Sequence, residues 1–297
     1  MASETETILE GRNGCQAVMG PGRRLVVIGE RLNPTNRKTL AAQLQAGDMT
    51  MARADARRQV EAGADVLDVN VGFAGADEPA VMAALVAAVM EEVEAPLCID
   101  SANLQATQAG LKAFAEHGGK KALVNSTTGE DERMGKFLPL AAEYGAAIIG
   151  LAHDERGIDF EVDHRLEAAA KIIDRAGQYG IPRSDVVIDA LTLAVGANTS
   201  AGRVTLDTQI RVTTELGANT TSGASNVSFG LPDRKLINLA YLPLLISRGL
   251  TSAITNPLED SNRNVVLASD LLMGHDADAR RWIEAFRKRR AAEGGSS

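Results

Sequence analysis

The sequence predicts one (β/α)₈ barrel, in which eight parallel strands alternate with helices. Eight short runs of β-branched and other aliphatic residues recur along the chain, and segments with the apolar spacing of helices lie between them. The runs return about once every 32 residues, which is the repeat expected of a closed barrel of this kind. With 297 residues, of which 45% are hydrophobic, the chain is long enough to bury one large core.

The eight predicted strands are short and mostly apolar, as is typical of a parallel sheet that is buried on both faces. Only 3% of the residues are aromatic, so Ala, Val, Leu and Ile must fill the core. In chain order the predicted strands are Leu25–Gly29, Asp65–Val71, Leu97–Asp100, Ala122–Asn125, Ala146–Leu151, Val186–Asp189, Thr220–Ser225 and Ser252–Thr255.

Helices are predicted between these strands from Ala- and Leu-rich segments with helical spacing. The clearest are Val81–Val93, Leu104–Glu116, Arg133–Tyr144 and Arg165–Tyr179. Glycine is frequent just past the C-terminus of a helix, because it adopts a left-handed backbone without strain. The positions at which helices are expected to end carry Gly63, Gly118, Gly145, Gly180 and Gly217.

An open, doubly wound sheet is the alternative fold. Such sheets bind a nucleotide phosphate at a glycine-rich loop after the first strand. Here Gly29-Glu30-Arg31-Leu32-Asn33 stands in that place, which favours the barrel. We predict one barrel domain over residues 24–290, a loose N-terminal leader at 1–23 and a flexible tail at 291–297.

Composition argues against several classes of protein. A net charge of −8 and a pI near 5.2 disfavour a nucleic-acid-binding protein, whose affinity rests on cationic contacts with phosphates. The longest apolar stretch, Leu236–Ile246, is interrupted and too short to span a membrane. Cys15 and Cys98 are lone thiols that fit a reducing compartment, and residues 1–13 do not resemble a signal peptide. We therefore expect a cytoplasmic protein with no membrane or nucleic-acid partner.

Polar side chains follow most of the predicted strands at the point where the strand ends. These residues are Glu30, Asn33, Asp68, Asn70, Asp100, Asn125, Ser126, Asp189, Asn226 and Asn256. In a barrel of this type the chemistry lies at the carboxyl ends of the strands, so the sequence predicts a ring of carboxylates and amides in one mouth. Asp and Asn also cap helices and start turns, and for any single residue that structural interpretation stays open.

The ring lacks the groups of several common catalysts. No His, Cys and carboxylate residues have zinc-like spacing, so we expect no metal held by this chain. His153, the one histidine near a strand end, is either a loop residue or a general base. No nucleophile elbow, phosphate loop or strand lysine is present in the sequence. The ring therefore suits a flat, nitrogen-rich ligand, because carboxylates accept its N–H groups and amides match its mixed edges.

Seven short motifs occur together at an order and spacing that are characteristic. They are Ile28-Gly29-Glu30-Arg31-Leu32-Asn33, Leu67-Asp68-Val69-Asn70-Val71-Gly72, Leu97-Cys98-Ile99-Asp100-Ser101, Val124-Asn125-Ser126-Thr127, Ile149-Gly150-Leu151, Val187-Ile188-Asp189 and Gly223-Ala224-Ser225-Asn226-Val227-Ser228. From about Leu25 to Phe286 the chain resembles the pterin-binding methyltransferase family. Within it, the chain resembles the methyltetrahydrofolate–corrinoid protein methyltransferases and the folate module of cobalamin-dependent methionine synthase.

The resemblance implies roles for individual residues. Asp100, Asn125 and Asp189 match the family's ligands of the pterin ring. Asn226 matches the asparagine that hydrogen-bonds near N5, the nitrogen that carries the methyl group, and it is the predicted catalytic residue. Arg234 matches an arginine shortly after that motif. The predicted substrate-binding set is completed by Glu30, Asn33, Asp68 and Asn70.

The resemblance also implies a reaction and partners. It implies a methyltransferase that moves a methyl group between N5 of tetrahydrofolate, or 5-methyltetrahydrofolate, and the cobalt of a corrinoid. The chain has no Asp-x-His-x-x-Gly motif for binding cobalamin itself, so the corrinoid would be carried by a partner protein. The family further implies a homodimer. One stretch departs from the acetogenic enzymes, because Phe229-Gly230-Leu231-Pro232 is closer to the methionine synthase version.

Two alternatives remain at this point. One is a dihydropteroate-synthase-like transferase, but the Asn-x-Thr-Pro-Asp-Ser-Phe and Ser-Thr-Arg-Pro loops that such enzymes carry are missing. Asn33-Pro34-Thr35 and Val71-Gly72-Phe73-Ala74-Gly75 stand in their places. The other is a folate-binding module that carries the ligand without catalysing a transfer.

Overall fold

The computed structural model describes residues 5–73, 75 and 77–294, and these contain an eight-stranded parallel sheet preceded by a two-stranded hairpin. In chain order the strands are β1 (Thr7–Glu10), β2 (Gln16–Met19), β3 (Val26–Leu32), β4 (Val66–Asn70), β5 (Leu97–Asp100), β6 (Leu123–Thr128), β7 (Ala147–Leu151), β8 (Val186–Asp189), β9 (Asn219–Thr221) and β10 (Ser252–Thr255). The parallel sheet has the order β10-β3-β4-β5-β6-β7-β8-β9.

The sheet closes between its edge strands, β9 and β10. The Ile254 amide donates to the Ser222 carbonyl at 3.0 Å, and Gly223 forms a parallel bridge with Ile254. Thr251 reinforces this seam, because its hydroxyl donates to the Thr220 carbonyl at 2.8 Å. The eight strands therefore form a barrel, which confirms the predicted fold class over the open-sheet alternative.

Helices cover the outside of the barrel. They are α1 (Lys38–Gln45), α2 (Thr50–Glu61), α3 (Glu78–Glu92), α4 (Leu104–Glu116), α5 (Asp131–Glu143), α6 (Val162–Gln178), α7 (Ala201–Glu215), α8 (Arg234–Ser247), α9 (Asp260–Leu272) and α10 (Arg280–Gly294). The four helices predicted most clearly agree with α3 to α6 to within three residues at each end. Their buried residues, such as Leu85 and Ile172, pack with outward-facing strand residues into the largest apolar cluster. No helix among the described residues is long and apolar enough to cross a membrane.

Two predicted strand ends need correction. β3 continues to Leu32, past the expected end at Gly29, because its register against β4 shifts between Gly29 and Leu32. β9 ends at Thr221 instead of Ser225. The Gly223-Ala224 stretch turns the chain into a short 3₁₀ helix over Ala224–Ser228, so the small residues there form a turn and not a strand.

The hairpin of β1 and β2 closes the amino-terminal end of the barrel. Leu9, Ala17 and Met19 are completely or almost completely buried against the first residues of the parallel strands. Asn219, the first residue of β9, holds the hairpin in place. Its side-chain amide donates to the Thr5 carbonyl and to the Thr7 hydroxyl, each at 2.8 Å. The prediction of a loose leader at residues 1–23 is therefore wrong for the described part of that segment.

The other predicted loose end, 291–297, begins inside a helix, because α10 runs to Gly294. Residues 1–4 and 295–297 lie outside the described part of the chain.

Alternation along the strands divides the inside of the barrel into two halves. Val66, Cys98, Leu123 and Val187 all point inward and pack on the hairpin. Because side chains on one face of a strand recur at every second residue, the next inward positions are Asp68, Asp100, Asn125 and Asp189. The lower half of the barrel interior is therefore apolar, and the upper half is lined by carboxylates and amides.

Candidate functional site

Three of the predicted residues form one row across neighbouring strands at the barrel mouth. Asn70 of β4 lies opposite Asp100 of β5, and Asp100 lies opposite Asn125 of β6. The Asn70 amide donates to an Asp100 carboxylate oxygen at 2.9 Å, while its own oxygen accepts from the Gly72 amide at 2.8 Å. Asn70 thus orients Asp100 and leaves the second carboxylate oxygen of Asp100 without a partner from this pair.

Asp68 lies one layer deeper and is 2% exposed. Burial and the nearby Asp100 and Glu30 carboxylates raise the pKa of Asp68 well above its usual range, although hydrogen bonds from Cys98 and Asn125 oppose the shift. One of its oxygens is buried without a hydrogen-bond partner in the described protein. The raised pKa favours the protonated form of Asp68, which can donate a hydrogen bond and adds no second full charge beside Asp100.

Asp100 and Asp189 have similar electrostatics on opposite sides of the mouth. Burial raises the pKa of each to about 6, against the stabilising effects of Asn70 and Arg133 on Asp100 and of the Leu191 amide and Arg165 on Asp189. Both are therefore carboxylates at neutral pH, and both protonate a little below it. Two buried acceptors that are ionised but incompletely hydrated bind N–H donors of a ligand strongly.

β7 separates these polar positions with an apolar wall. Ile149 is opposite Asn125, and Leu151 is opposite Asp189. Both side chains belong to the inward-facing apolar set. A flat ring could therefore contact Leu151 with its edge or face while its polar edges meet the carboxylates and amides on either side.

Asn226 was predicted to follow directly on a strand ending at Ser225, but it lies five residues beyond the end of β9 at Thr221. It is an exposed residue of the Ala224–Ser228 turn, above the seam between β9 and β10. Its side-chain nitrogen is 3.0 Å from the position that a Cβ on Gly223 would occupy, so the glycine leaves room for the carboxamide in this rotamer. The cap of α8 is Asp233 and not Asn226, so a helix-capping role for Asn226 is excluded. The carboxamide is free of side-chain hydrogen bonds to any described residue and can rotate toward a ligand.

Arg234 and Glu30 lie near this turn, and Asn33 follows β3 at Leu32. The Arg234 guanidinium donates to the Ser228 hydroxyl and the Ser225 carbonyl at 3.0 and 2.9 Å, so it braces the Asn226 turn. Burial raises the pKa of Glu30, with Arg31 and Arg234 opposing the shift and Glu259 adding to it. Asn33 accepts a hydrogen bond from the Thr35 amide at 2.9 Å, which is a local turn contact.

Two arginines support the site and were not identified from the sequence. Arg133 donates to the Ser126 carbonyl at 2.8 and 3.2 Å and stacks on Phe137 at 4.3 Å. Arg165 is 1% exposed and contacts the chain directly after Asp189. A signal for Arg165 was present, because it shares the helical stripe of Ala168, Ala169 and Ile172, where a charged residue is unusual.

His153 follows β7, and its backbone carbonyl accepts from the Gly129 amide at 2.7 Å. Its Nδ1 atom is buried without a partner among the described residues. Within residues 5–73, 75 and 77–294, no three His, Cys, Asp or Glu side chains are grouped so that they could hold a metal ion.

A cavity of about 830 Å³ lies beside the mouth, at the N-terminal ends of α4 and α5. Its charged lining consists of Glu78, Glu130, Glu132, Arg133, Lys136 and Glu155. Because acidic side chains outnumber basic ones there, the cavity is a poorer match for an anionic ligand than for a neutral or cationic one.

The chain matches the family model described as pterin binding enzyme over residues 29–256. It is 31% identical over 271 residues to the methylcorrinoid:tetrahydrofolate methyltransferase of Eubacterium limosum, with 89% of this chain and 97% of that protein covered. It is 32% identical over 264 residues to the methionine synthase of Mycobacterium tuberculosis, where the match covers 82% of this chain but only 22% of that protein.

Solved structures agree on the architecture. The dihydropteroate synthase of Xanthomonas albilineans in complex with 7,8-dihydropteroate superposes with a TM-score of 0.66 at 18% identity and covers 90% of this chain and 98% of that one. The dihydropteroate synthase of Yersinia pestis gives a TM-score of 0.63 at 15% identity, with 92% of this chain covered and 100% of that one. At such identities the likeness concerns the fold alone. The family match over most of the barrel and the near full-length relative lead to one conclusion: the chain is an enzyme of the pterin binding family.

Proposed function

We propose that this chain transfers a methyl group between N5 of tetrahydrofolate and the cobalt of a corrinoid carried by a partner protein. The observation that carries the proposal is the likeness, over nearly its whole length, to a methylcorrinoid:tetrahydrofolate methyltransferase. The inward ring of Asp100, Asn125 and Asp189 supports it, because such a ring suits the aminopyrimidone edge of a pterin.

The two carboxylates at the mouth have the main part in recognition. A pterin presents adjacent N–H donors at its amino-substituted edge, and an ionised Asp189 accepts them with charge-assisted hydrogen bonds. Asp100, held by Asn70, and the Asn125 amide contact other polar atoms of the ring. Leu151 lies level with Asp189 and contacts the apolar part of the ring.

Methyl transfer requires that N5 gain positive character before its bond to carbon breaks. When methyltetrahydrofolate is the donor, cobalt(I) supplies the electron pair of the new cobalt–carbon bond, and N5 keeps the pair of the broken bond and takes a proton. In the reverse direction, N5 attacks the methyl group, cobalt(III) is reduced to cobalt(I), and the N5 proton is released. Asn226 assists both directions, because its amide can donate to N5 as electron density develops there.

The proposal includes an assembly and a compartment. A corrinoid protein must approach N5 from the open mouth, above the Asn226 turn. We further propose a cytoplasmic homodimer, for which the exposed Leu236 and Leu244 on one side of α8 offer an apolar surface. Light scattering should give twice the mass of one chain at micromolar concentration, and a monomer would contradict this part of the proposal.

Anaerobic mixing with cobalamin reduced to cobalt(I) tests the reaction. In the presence of 5-methyltetrahydrofolate, the protein should convert the cobalt(I) spectrum into that of methylcobalt, and tetrahydrofolate should accept the methyl group back. Formation of dihydropteroate from a pterin pyrophosphate and p-aminobenzoate would favour the synthase alternative. Tight folate binding without transfer, both to free cobalamin and to a corrinoid protein, would favour a binding module.

A further inference from the structure

Arg165 is a buried cation whose hydrogen bonds all lead to backbone carbonyls. Nε and Nη2 donate to the Asp159 carbonyl at 3.0 and 2.7 Å. Nη1 donates to the carbonyls of Ala190 and Leu191 at 2.8 and 3.0 Å. An arginine that is 1% exposed must have its charge and its donors compensated. Arg165 thus ties the loop at Asp159 to the two residues that follow Asp189.

The backbone after Asp189 is a tight turn that an ordinary residue does not favour. Leu191 has φ of 63°, in the left-handed region that disfavours residues with a branched side chain. Its amide donates to an Asp189 carboxylate oxygen at 2.8 Å, so the turn decides where the carboxylate points. Thr205 also donates to the Leu191 carbonyl, at 2.9 Å, but without a charge.

The charge of Arg165 acts on the same carboxylate. Burial raises the pKa of Asp189 to about 6, and Arg165 is the cation that opposes the rise. The other groups near this pair are Asp159 on the preceding loop, which bonds to His164 of α6, and Tyr241 of α8. Neither Asp159 nor Tyr241 is a cation, so Arg165 is the group expected to keep Asp189 ionised near neutral pH.

We propose that Arg165 is a positioning residue for pterin binding, which fixes the Ala190–Leu191 turn and thereby aims an ionised Asp189 into the barrel mouth. Arg165 does not itself touch the ligand. The inference rests on the proposed function in one respect, namely that Asp189 receives the pterin. The link between Arg165 and the state of Asp189 does not depend on any ligand.

The ligand-free protein gives the first test. Carboxyl carbons of aspartate are labelled with ¹³C, and Asp189→Asn identifies the Asp189 resonance. Arg165→Gln removes the charge and should raise the pKa of Asp189 by about one unit or more. Arg165→Lys keeps the charge and loses the planar fork, so it should leave that pKa within about half a unit. Thr205→Val removes the neutral donor to the Leu191 carbonyl, together with a bond to the Ala201 carbonyl within α7. It is the matched control and should leave the pKa of Asp189 unchanged.

Binding of tetrahydrofolate by calorimetry from pH 5.5 to 8.5 gives the second test. For Arg165→Gln the pH at which half the affinity is lost should rise by about one unit, in step with Asp189. At pH 8.5, where Asp189 is ionised in both proteins, Arg165→Gln and Arg165→Lys should still bind about 5- to 10-fold more weakly, because the turn is less fixed. Thr205→Val should lose no more than about two-fold.

The Asp189→Asn background separates positioning from general damage. If Arg165 acts through Asp189, adding Arg165→Gln to Asp189→Asn should weaken folate binding by less than about two-fold more. A folded Arg165→Gln protein with unchanged Asp189 pKa and unchanged affinity would overturn the inference. If Arg165→Gln does not fold, wild-type affinity in Arg165→Lys at all pH values would overturn it equally. Asp189→Asn with full folate affinity would instead refute the proposed pterin site, while the ¹³C titration would still stand.

Discussion

The lower and upper halves of the barrel interior are built on the same strands, yet their inward side chains have opposite character. In the lower half, Val66, Leu123 and Val187 pack on Leu9 and Met19 of the hairpin and are fully buried. Two residues further along each strand, the inward positions carry Asp68, Asn125 and Asp189. The lower half stabilises the fold, and the upper half buries groups that favour water. The difference separates the residues that hold the protein together from those that we propose bind its ligand.

The largest expected effect is on stability and belongs to the lower half. Leu9→Ala should lower the free energy of unfolding by about 2–5 kcal/mol, because Leu9 is completely buried in the hairpin plug and its truncation leaves a cavity. Folate affinity of the folded protein should not change. Leu272→Ala, at a site 86% exposed, is the control and should have an effect below about 0.5 kcal/mol. Urea unfolding measures the free energy of unfolding of both variants. An unchanged free energy for Leu9→Ala would contradict the stabilising role of the lower half.

In the upper half, Asn226→Ala should lower the single-turnover rate of methyl transfer by roughly 10² to 10³, since it removes the proposed hydrogen-bond donor to N5. The loss of folate affinity should be much smaller, because this hydrogen bond strengthens in the transition state. Stopped-flow mixing with cobalt(I) cobalamin measures the rate. Asn264→Ala, which removes a contact between α9 and Arg289 of α10, is the control and should transfer at the parent rate. Equal rates for Asn226→Ala and the control would make Asn226 a turn residue only.

Carboxylates at the two ends of the barrel should differ in their effect on binding. Asp189→Ala, and similarly Asp100→Ala, should weaken folate binding by about 10- to 150-fold, as expected for the loss of a charge-assisted hydrogen bond of about 1.5–3 kcal/mol. Asp65→Ala at the lower end removes a pair with Arg24 at 2.6 Å and should lower stability without changing affinity. Calorimetry that found no loss for either upper carboxylate would move the ligand out of the mouth.

An ionised Asp189 should lower the stability of the ligand-free fold, so its removal should stabilise the protein. This is the smallest of the expected effects, and it is opposite in sign to that of Leu9→Ala. The pKa of Asp189 is raised to about 6 in the native state, above the value of about 3.9 in an unfolded chain. The favourable contribution of protonated Asp189 to the free energy of unfolding is therefore complete below about pH 4 and is lost as pH rises through about 6. Asp189→Asn should stabilise the ligand-free protein by about 1 kcal/mol at pH 8 and by much less at pH 4. Thermal unfolding at both pH values measures this, and a variant less stable at pH 8 would contradict it.

The lower half shows how far the sequence alone leads. Regular recurrence of Val, Ile and Leu runs predicts the strands, because burial on both faces of a parallel sheet demands such residues. The hairpin was missed, since Thr7–Glu10 and Gln16–Met19 are only four residues each and are joined by a polar turn. What makes them strands is the open lower end of the barrel, which exists only in the folded protein.

The upper half shows the same limit for the site. Asp100, Asn125 and Asp189 were predicted from their place at strand ends, where position in the chain determines position in the mouth. Asn226 lies after a strand that ends early, and its position depends on the turn at Gly223 and on the brace from Arg234. Arg165 is 24 residues before Asp189 in sequence, so only the packing of α6 on β8 brings its guanidinium to the Asp189 turn.

The central claim is that the polar upper half of the barrel interior binds the ligand. A crystal structure with bound tetrahydrofolate tests it most directly. We predict that the pterin ring lies in the upper half, with its amino-substituted edge on the Asp189 carboxylate, Asp100 and Asn125 on its other polar atoms, and N5 facing the Asn226 carboxamide. A pterin ring bound instead in the outer cavity beside Arg133 and Lys136, with Asp189 out of contact, would contradict the proposed site.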